Sequence, residues 1–371
     1  MSDCLIIGGG VSGLLTALQL HEAGLKVTLI ERGKIGQESS WAGGGIISPL
    51  YPWRFSAPVT DLARWSQARY PAFANELLKQ TKIDSEYTRN GLLILETDEY
   101  PQARAWAEHL ELLENDKLRD CEPQLGDYQK ALWLPDVAQI RNPRLLKALR
   151  RALELAKGIS MLEQQAVQAL RVEADKIIGV ETEQGLVAAE RVVVTAGAWS
   201  ADLLNTVGTP LAVKPVRGQM ILFVTPPNLV SRIVLAKDRY VIPRRDGSVL
   251  VGSTLESAGF DKSTTDTARE DLKSAAFKLI PRLADYTVQK HWAGLRPSSP
   301  NGVPYIGKHS NIEGLYINTG HFRNGIVLGL ASARLLADII LERAPILEPS
   351  NYAMTAERGS NAATEQCHNQ Y

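Results

Sequence analysis

The first thirty residues alternate between short apolar runs and a glycine-rich turn. Residues 4–7 (CLII) form an apolar run that is typical of a buried strand, and residues 26–30 (KVTLI) predict a second one. Between them, residues 14–23 have helical spacing, and Gly24 is placed to end that helix. The chain is therefore predicted to begin with a strand–helix–strand unit that has Glu31 at the end of its second strand.

Helical spacing recurs five more times along the chain. Pro71 should break or kink the first of these helices, and the pair Asn142-Pro143 is a favourable helix start with Asn142 as the N-cap. The predicted helices cover residues 61–80, 101–115, 143–157, 267–279 and 326–341.

Strand patterns are concentrated in the second half of the chain. Asp246-Gly247 is a strong hairpin signal between two apolar runs, and residues 36–49 indicate a loop or an irregular helix entry. The polar segment 350–371 lacks periodicity and is expected to be disordered. Strands are predicted at 91–96, in a meander over 161–195 that ends in 192–194, and at 213–224, 232–243, 248–253, 286–296 and 315–318.

Composition narrows the class of protein. The 371 residues are 44% apolar and 22% charged, which is typical of a globular protein with room for two or three domains. The 41 basic and 41 acidic residues cancel, so net charge gives no reason to expect a nucleic acid or a membrane as partner. Because there is no apolar run of about 18 residues and no basic leader, we expect a cytoplasmic protein.

Cysteine and histidine usage argues against a disulfide framework and a metal site. Cys4, Cys121 and Cys367 are odd in number and far apart, and the six histidines are scattered. We therefore expect no bound metal.

The turn after the first strand has the spacing of a dinucleotide-binding loop. Gly8, Gly10 and Gly13 form GxGxxG, which follows a strand, opens a helix and precedes the acidic Glu31. Gly8 permits a tight turn, Gly10 allows a pyrophosphate to approach the backbone, and Gly13 lets helix and strand pack. Glu31 can accept hydrogen bonds from ribose hydroxyls. The alternative is a glycine-rich turn with no ligand.

This motif alone does not distinguish FAD from NAD. The segment that follows contains Ser39, Ser40 and the run Gly43-Gly44-Gly45, which offers small side chains and free N–H groups to a flat ring system. That composition favours FAD, whereas a flexible surface loop is the alternative interpretation.

Several motifs together resemble the D-amino acid oxidase superfamily of FAD-dependent amine oxidoreductases, and most closely its bacterial glycine oxidase family. The resemblance covers roughly residues 3–345. It is carried by GGGVSG at 8–13, ER at 31–32, SSWAGGG at 39–45, VVVTAGAWS at 192–200, RYVIPR at 239–244, WAGLRP at 292–297 and GHFRNGIVLG at 320–329.

The resemblance implies noncovalent FAD, because no cysteine lies in a motif that would tether it. It implies that Val167 contacts the adenine region through its backbone and that residues 321–327 cover the flavin. A helix that begins near Gly325 would also direct its positive end at reduced flavin. The expected cofactor residues, with those of the glycine-rich motif, are Gly8, Gly10, Val11, Ser12, Gly13, Glu31, Arg32, Ser39, Ser40, Gly44, Gly45, Ile46, Val167, Gly197, His321, Phe322, Arg323, Asn324, Gly325, Ile326 and Val327.

Three residues are candidates for binding a substrate carboxylate. Arginine is its natural partner, since its planar fork forms two parallel hydrogen bonds. Arg296 is placed there by resemblance, although a surface ion pair is its alternative role. Tyr240 could complete the site or pack in a core, and Arg323 could bind substrate or ion-pair within its loop. We assign no catalytic base and prefer a structural role for His321.

The expected architecture is α/β with two interleaved domains of the D-amino acid oxidase type. A Rossmann-like FAD-binding domain would comprise residues 1–85, 140–212 and 295–349. A substrate-binding domain with an antiparallel sheet would comprise residues 86–139 and 213–294.

The resemblance implies oxidative deamination of glycine, and also of sarcosine and small D-amino acids, by hydride transfer to flavin N5. Oxygen would be reduced to hydrogen peroxide, and the imine could pass to a thiazole-forming enzyme of thiamine synthesis. A homo-oligomer is expected from the family. The alternatives are a dehydrogenase that uses a quinone and a flavin-binding protein without catalysis.

Overall fold

Seventeen strands and nine helices form in residues 2–358, the part of the chain that this computed structural model describes. The strands are β1 (Cys4–Ile7), β2 (Val27–Ile30), β3 (Leu92–Ile94), β4 (Glu111–Glu114), β5 (Lys130–Leu134), β6 (Ile159–Leu162), β7 (Val167–Glu173), β8 (Lys176–Thr182), β9 (Gly185–Ala188), β10 (Val192–Val194), β11 (Lys214–Val224), β12 (Ile233–Ala236), β13 (Arg239–Pro243), β14 (Ser248–Gly252), β15 (Val288–Ser298), β16 (Tyr305–Lys308) and β17 (Leu315–Thr319). The helices are α1 (Val11–Glu22), α2 (Ser39–Ala42), α3 (Ala57–Thr81), α4 (Tyr100–Trp106), α5 (Asn115–Cys121), α6 (Asn142–Leu155), α7 (Ser200–Asn205), α8 (Asp266–Leu279) and α9 (Gly325–Ile340).

The glycine-rich turn belongs to a six-stranded sheet in the order β16-β17-β10-β1-β2-β6. Its strands are parallel except for β16, which is antiparallel to β17 at one edge. Cys4 and Ile6 pack with helices α1, α3, α6 and α9, while Leu5 and Ile7 face the core of the β7-β8-β9 meander. Because both faces are covered, every position of β1 is apolar and buried.

An eight-stranded sheet forms the second layer, in the order β15-β11-β14-β13-β12-β3-β5-β4. Its pairs are antiparallel apart from β12 with β3. One face packs Ile221, Val241 and Val251 against α8. Alternate residues of the same strands, including Met220 and Tyr240, lie on the other face.

The expected α/β fold with a parallel and a largely antiparallel sheet is confirmed, but several element predictions were wrong. Helix α1 begins at Val11 rather than at residue 14, and α3 continues through Pro71. The predicted helix 101–115 ends at Trp106. Residues 111–114 form β4 instead, because Leu113 is buried when this segment pairs with β5. Pairing with a distant strand outweighs local helical character here.

Two further differences affect the second half of the chain. The predicted single strand 232–243 is a hairpin of β12 and β13, whose connection includes Lys237 at φ 52°. Strand β16 was not predicted. Asn142 is not the N-cap of α6, a position that Arg141 holds; it is the first helical residue and is fully buried.

The expectation of disorder after residue 350 was wrong for the described part of that segment. Residues Pro349–Tyr352 form a 3-10 turn, and buried Tyr352 donates a hydrogen bond to the carbonyl of Pro58 at 2.9 Å. Arg358 donates to the carbonyls of Pro304 and Tyr352 at 3.2 Å each. The rest of the predicted tail, with Cys367, lies outside the described residues.

The domain boundaries stay a prediction. The six-stranded sheet takes strands from three separated stretches of sequence, and β15 crosses the predicted boundary at residues 294 and 295. Within residues 2–358, no helix combines the length and apolar character needed to cross a bilayer.

Gly13 sets the closest contact between α1 and the preceding turn. A Cβ at this position would lie 1.9 Å from the carbonyl oxygen of Gly8. We expect Gly13→Ala to lower the free energy of unfolding by about 3 kcal/mol, because the backbone must shift. Denaturant unfolding measures this change.

Gly329→Ala is the matched control, since it also lies in a helix of this layer. Its Cβ would meet side chains and no backbone of another segment: the end of Leu15 at 3.0 Å and Val11 Cγ2 at 3.7 Å. We expect this variant to stay within about 1 kcal/mol of the wild type. Equal losses in the two variants would contradict the role given to Gly13.

Candidate active site

A cavity of about 440 Å³ lies between the two sheets. Its floor is formed by the segments that follow the carboxyl ends of β1, β2, β10 and β17, which is where α/β sheets bind ligands. Its roof comes from β11, β13, β14 and β15 and includes Gly218, Met220, Tyr240 and Arg296. The site therefore needs both sheets.

All but one of the residues predicted to bind cofactor or substrate line this cavity. The exception is Gly13, which packs against Gly8 as described above. The lining residues predicted from sequence are Gly8, Gly10, Val11, Ser12, Glu31, Arg32, Ser39, Ser40, Gly44, Gly45, Ile46, Val167, Gly197, Tyr240, Arg296, His321, Phe322, Arg323, Asn324, Gly325, Ile326 and Val327.

Glu31 fastens the glycine-rich turn to the end of β2. Its carboxylate is 7% exposed and accepts hydrogen bonds from the N–H groups of Gly9 at 2.7 Å and Gly33 at 2.8 Å. Each oxygen keeps lone-pair capacity for a further donor, because a carboxylate oxygen can accept two bonds. Glu31 can thus hold the turn and accept from a ligand hydroxyl together.

The segment from Ser39 to Ile46 forms one wall of the cavity. The Ser40 hydroxyl accepts a hydrogen bond from the N–H of Val11 at 2.9 Å, which joins this wall to the start of α1. Gly45 has φ +77°, and a Cβ there would lie 2.0 Å from the carbonyl oxygen of Ile140. A Cβ on Gly44 would lie 2.6 Å from Ile242. Glycine is required at both positions by close approach.

Arg296 is half-buried in the roof and forms no ion pair in the described chain. Its guanidinium donates to the Ser253 hydroxyl at 2.7 Å and to the carbonyl of Thr254 at 3.1 Å. Burial lowers its pKa to about 10, while the neighbouring Tyr240 and Arg323 act in opposite directions. A Cβ on Gly218 would lie 2.1 Å from the guanidinium, so this glycine makes room for it. The surface ion pair considered from sequence does not form.

Tyr240 and Arg323 border the same part of the cavity. Tyr240 is 7% exposed, packs in the apolar layer of the roof and places its hydroxyl 3.8 Å from the sulfur of Met220. Arg323 is half-buried, and within residues 2–358 its guanidinium has neither a hydrogen-bond partner nor an ion-pair partner. This region therefore presents positive charge without a carboxylate against it.

Comparison with known proteins gives the family. The family model described as "FAD dependent oxidoreductase" matches residues 3–339. The chain belongs to this family. It is 49% identical to a glycine oxidase of Pseudomonas aeruginosa over 94% of this chain and 97% of the relative.

The chain has the same fold as a crystal structure of glycine oxidase from Geobacillus kaustophilus. Its TM-score is 0.91 at 30% identity, covering 96% of this chain and 99% of that one. A bifunctional protein ThiO/ThiG of Nostoc is 32% identical over 96% of this chain and 56% of its own length. The chain spans about half of that relative.

The cavity fits the FAD that defines the family. Four lining residues carry a buried polar atom without a partner in the described chain: the Oδ1 atoms of Asn142 and Asn318, His321 Nε2 and Asn324 Nδ2. Such atoms are costly unless a ligand or water satisfies them. Of the cysteines described, neither Cys4 nor Cys121 lines the cavity, and residues 2–358 hold no cluster suited to a metal ion.

Several lining residues were missed by sequence reasoning. Trp199 carries the guanidinium of Arg32 3.4 Å above its ring and stacks with Phe260 at 5.5 Å. Trp199 lies inside VVVTAGAWS, so the motif marked it. Asn142 was assigned to helix capping, but its Nδ2 donates to the carbonyl of Ser40 at 2.7 Å. The positions of Gly218 and Ser253 depend on strand pairing and had no local signal.

Burial makes His321 a source of pH-dependent stability. It lowers the pKa of the imidazole to about 4, against about 6.5 when unfolded. Between these values the unfolded chain binds the extra proton, so stability falls as pH drops from about 6.5 to 4, by up to about 3 kcal/mol. His321→Gln should flatten this slope in denaturant titrations.

The same titrations at pH 8 serve as the control, because both forms of the imidazole are then neutral. The difference between variant and wild type at pH 8 measures packing alone. A wild-type slope that the substitution leaves unchanged would contradict the assignment to His321.

Proposed function

We propose that this FAD-dependent oxidoreductase is a glycine oxidase that deaminates glycine, and also sarcosine and small D-amino acids, with oxygen as electron acceptor. One observation carries the proposal: Arg296, half-buried in the roof and bonded only to neutral oxygens, lies near unpaired Arg323, which comes from the segment that follows β17. The relatives described as glycine oxidases support it.

The substrate carboxylate would bind at this positive region. Arg296 can turn two donors towards it, and Arg323 adds a second guanidinium that no group of the described chain neutralises. The Tyr240 hydroxyl, which lies against Arg296 and donates only weakly to the sulfur of Met220, is available as a further donor. The acidic side chains that line the cavity, Glu31, Glu38 and Asp202, pair with neither Arg296 nor Arg323.

The residues around the substrate orient it and exclude water. Bound FAD supplies the electron acceptor for the carbon–hydrogen bond that breaks. Fixing the carboxylate aligns the α-carbon, and alignment of this kind contributes up to about 7–11 kcal/mol in well-ordered cases. We assign no general base among the lining side chains. His321 has the right chemical type for that role, but burial lowers its pKa to about 4, so its imidazole is a weak base.

The overall reaction consumes glycine, oxygen and water and yields glyoxylate, ammonia and hydrogen peroxide. The imine formed before hydrolysis would be available to a thiazole-forming enzyme. The bifunctional relative, which joins a chain of this kind to a second part, supports such a transfer of product.

An anaerobic absorbance titration of the holoenzyme with glycine tests the proposed function. We expect the visible flavin bands to bleach with glycine and to recover with hydrogen peroxide when air is admitted. Flavin that glycine leaves oxidised would overturn glycine as substrate. Bleaching that a quinone dye reverses and oxygen does not would identify a dehydrogenase.

Arg296→Ala should selectively weaken substrates that carry a carboxylate. We expect KM for glycine to rise about 10- to 100-fold, because the charge-assisted hydrogen bonds to the carboxylate are lost. Exposed Arg171, which pairs with Glu181 at 3.0 Å, provides the matched control, and Arg171→Ala should leave KM unchanged.

A carboxylate-free amine such as ethylamine completes the comparison. Its weak turnover should be nearly the same in the wild type and in Arg296→Ala, provided both hold equal flavin. A variant that keeps the wild-type KM for glycine would remove Arg296 from the carboxylate site.

A further inference from the structure

Three side chains hold alternate carbonyl groups of the Ser39–Ile46 wall, and two of them, Trp292 and Arg244, do so from outside the cavity. Asn142 Nδ2 donates to the carbonyl of Ser40 at 2.7 Å, and Trp292 Nε1 donates to that of Ala42 at 3.0 Å. Arg244 Nη2 donates to that of Gly44 at 2.7 Å. Every second carbonyl of this segment is thus occupied by a side-chain donor.

The N–H groups of the same segment have no such partners. Within residues 2–358, the backbone N–H groups of Gly44, Gly45 and Ile46 find no hydrogen-bond acceptor, and all three residues line the cavity. We name this row of donors the N–H cradle. A run of free donors of this kind is suited to oxygen and nitrogen atoms of a polar ring edge, and to negative charge on it.

Arg244 differs from the other two side chains because it brings a charge. Its side chain reaches from the end of β13 and is 6% exposed. Nη1 also donates to Gln139 Oε1 and, at 3.1 Å, to the carbonyl of Ile140, so its bonded partners are neutral oxygens. The nearest acids, Glu86 and Asp246, pair instead with Arg141, at 3.2 and 2.7 Å.

We propose that Arg244 is a positioning residue for the cofactor: its guanidinium fixes the N–H cradle and places a positive charge without a contacting carboxylate directly behind it. The charge favours electrons on whatever ring system the cradle holds, since opposite charges attract strongly where water is excluded. The inference depends on the FAD of the family and not on the amine proposed as substrate.

Burying a guanidinium without an ion pair costs free energy. A neutral donor could form the hydrogen bond to the Gly44 carbonyl at a lower desolvation cost. Burial lowers the pKa of Arg244 to about 10, so it stays charged at neutral pH. A guanidinium in this position therefore adds a charge behind the N–H cradle that a neutral donor would not supply.

Two variants separate geometry from charge. Arg244→Met removes both, whereas Arg244→Lys keeps the charge but cannot span the carbonyls of Gly44 and Ile140 with a planar fork. The neighbouring Arg245 supplies the matched control, because it lies on the same hairpin, pairs with Asp84 at 2.8 Å and does not line the cavity.

The measurements are made on the purified holoenzyme: FAD release on dilution, the midpoint potential of the bound flavin and its visible spectrum. We expect Arg244→Met to release FAD at least about tenfold faster, to shift the potential to more negative values and to change the band shape. Arg244→Lys should have a midpoint potential close to that of the wild type but should release FAD faster than the wild type. Arg245→Met should match the wild type in all three.

An unchanged potential and spectrum in Arg244→Met would overturn the proposal. So would equal effects in Arg244→Met and Arg245→Met, which would indicate loss of hairpin docking. If Arg244→Met does not accumulate as a folded protein, Arg244→Lys provides the test. FAD release at the wild-type rate in Arg244→Lys would show that Arg244 does not fix the geometry of the N–H cradle. None of these readouts uses glycine, so this proposal and the proposed function fail independently.

Discussion

Two guanidinium groups that lack ion-pair partners impose the strongest constraint on this structure. Arg244 is buried and Arg296 is half-buried, and each is held by carbonyl, hydroxyl or amide oxygens instead of carboxylates. A buried charge can be kept only when its donors are met. The backbone around them must therefore present oxygens inwards, and Gly218 has no side chain because one would occupy the position of Arg296.

The same constraint explains why the cavity lies where the sheets meet. The floor contributes donors: Glu31 orders the glycine-rich turn, and the N–H cradle is free of internal acceptors. The roof contributes positive charge and an apolar surface around Tyr240. A ligand that spans the cavity meets backbone donors on one side and guanidinium groups on the other, which favours a ring that gains negative charge and a substrate that already carries it.

The sequence predicted those features that are encoded within a few residues. The β1–α1–β2 unit, the hairpin turn at Asp246-Gly247 and the start of α9 have local spacing or turn residues that the structure follows. The glycine-rich turn could be assigned chemistry for the same reason. The position of Arg296 in the cavity was correct, but it came from motif resemblance and not from local pattern.

The features that were missed depend on contacts between distant segments. Residues 111–114 have helical character locally and become a strand only because β5 pairs with them. Asn142 has the properties of a cap, yet its amide is drawn to Ser40, about a hundred residues away in sequence. No periodicity indicates that the side chain of Arg244 would reach Gly44, since that contact exists only after two sheets have packed together.

The order of strands in the six-stranded sheet has a consequence for synthesis of the chain. Strand β1 is made long before β10, its neighbour in the sheet, and β10 pairs on its other edge with β17, which is followed by the cavity residues His321 to Val327. A growing chain of 300 residues thus lacks part of the floor and all of α9. The cavity is then complete only after α9 has been made, and the half-built sheet must be kept from pairing with other chains until that point.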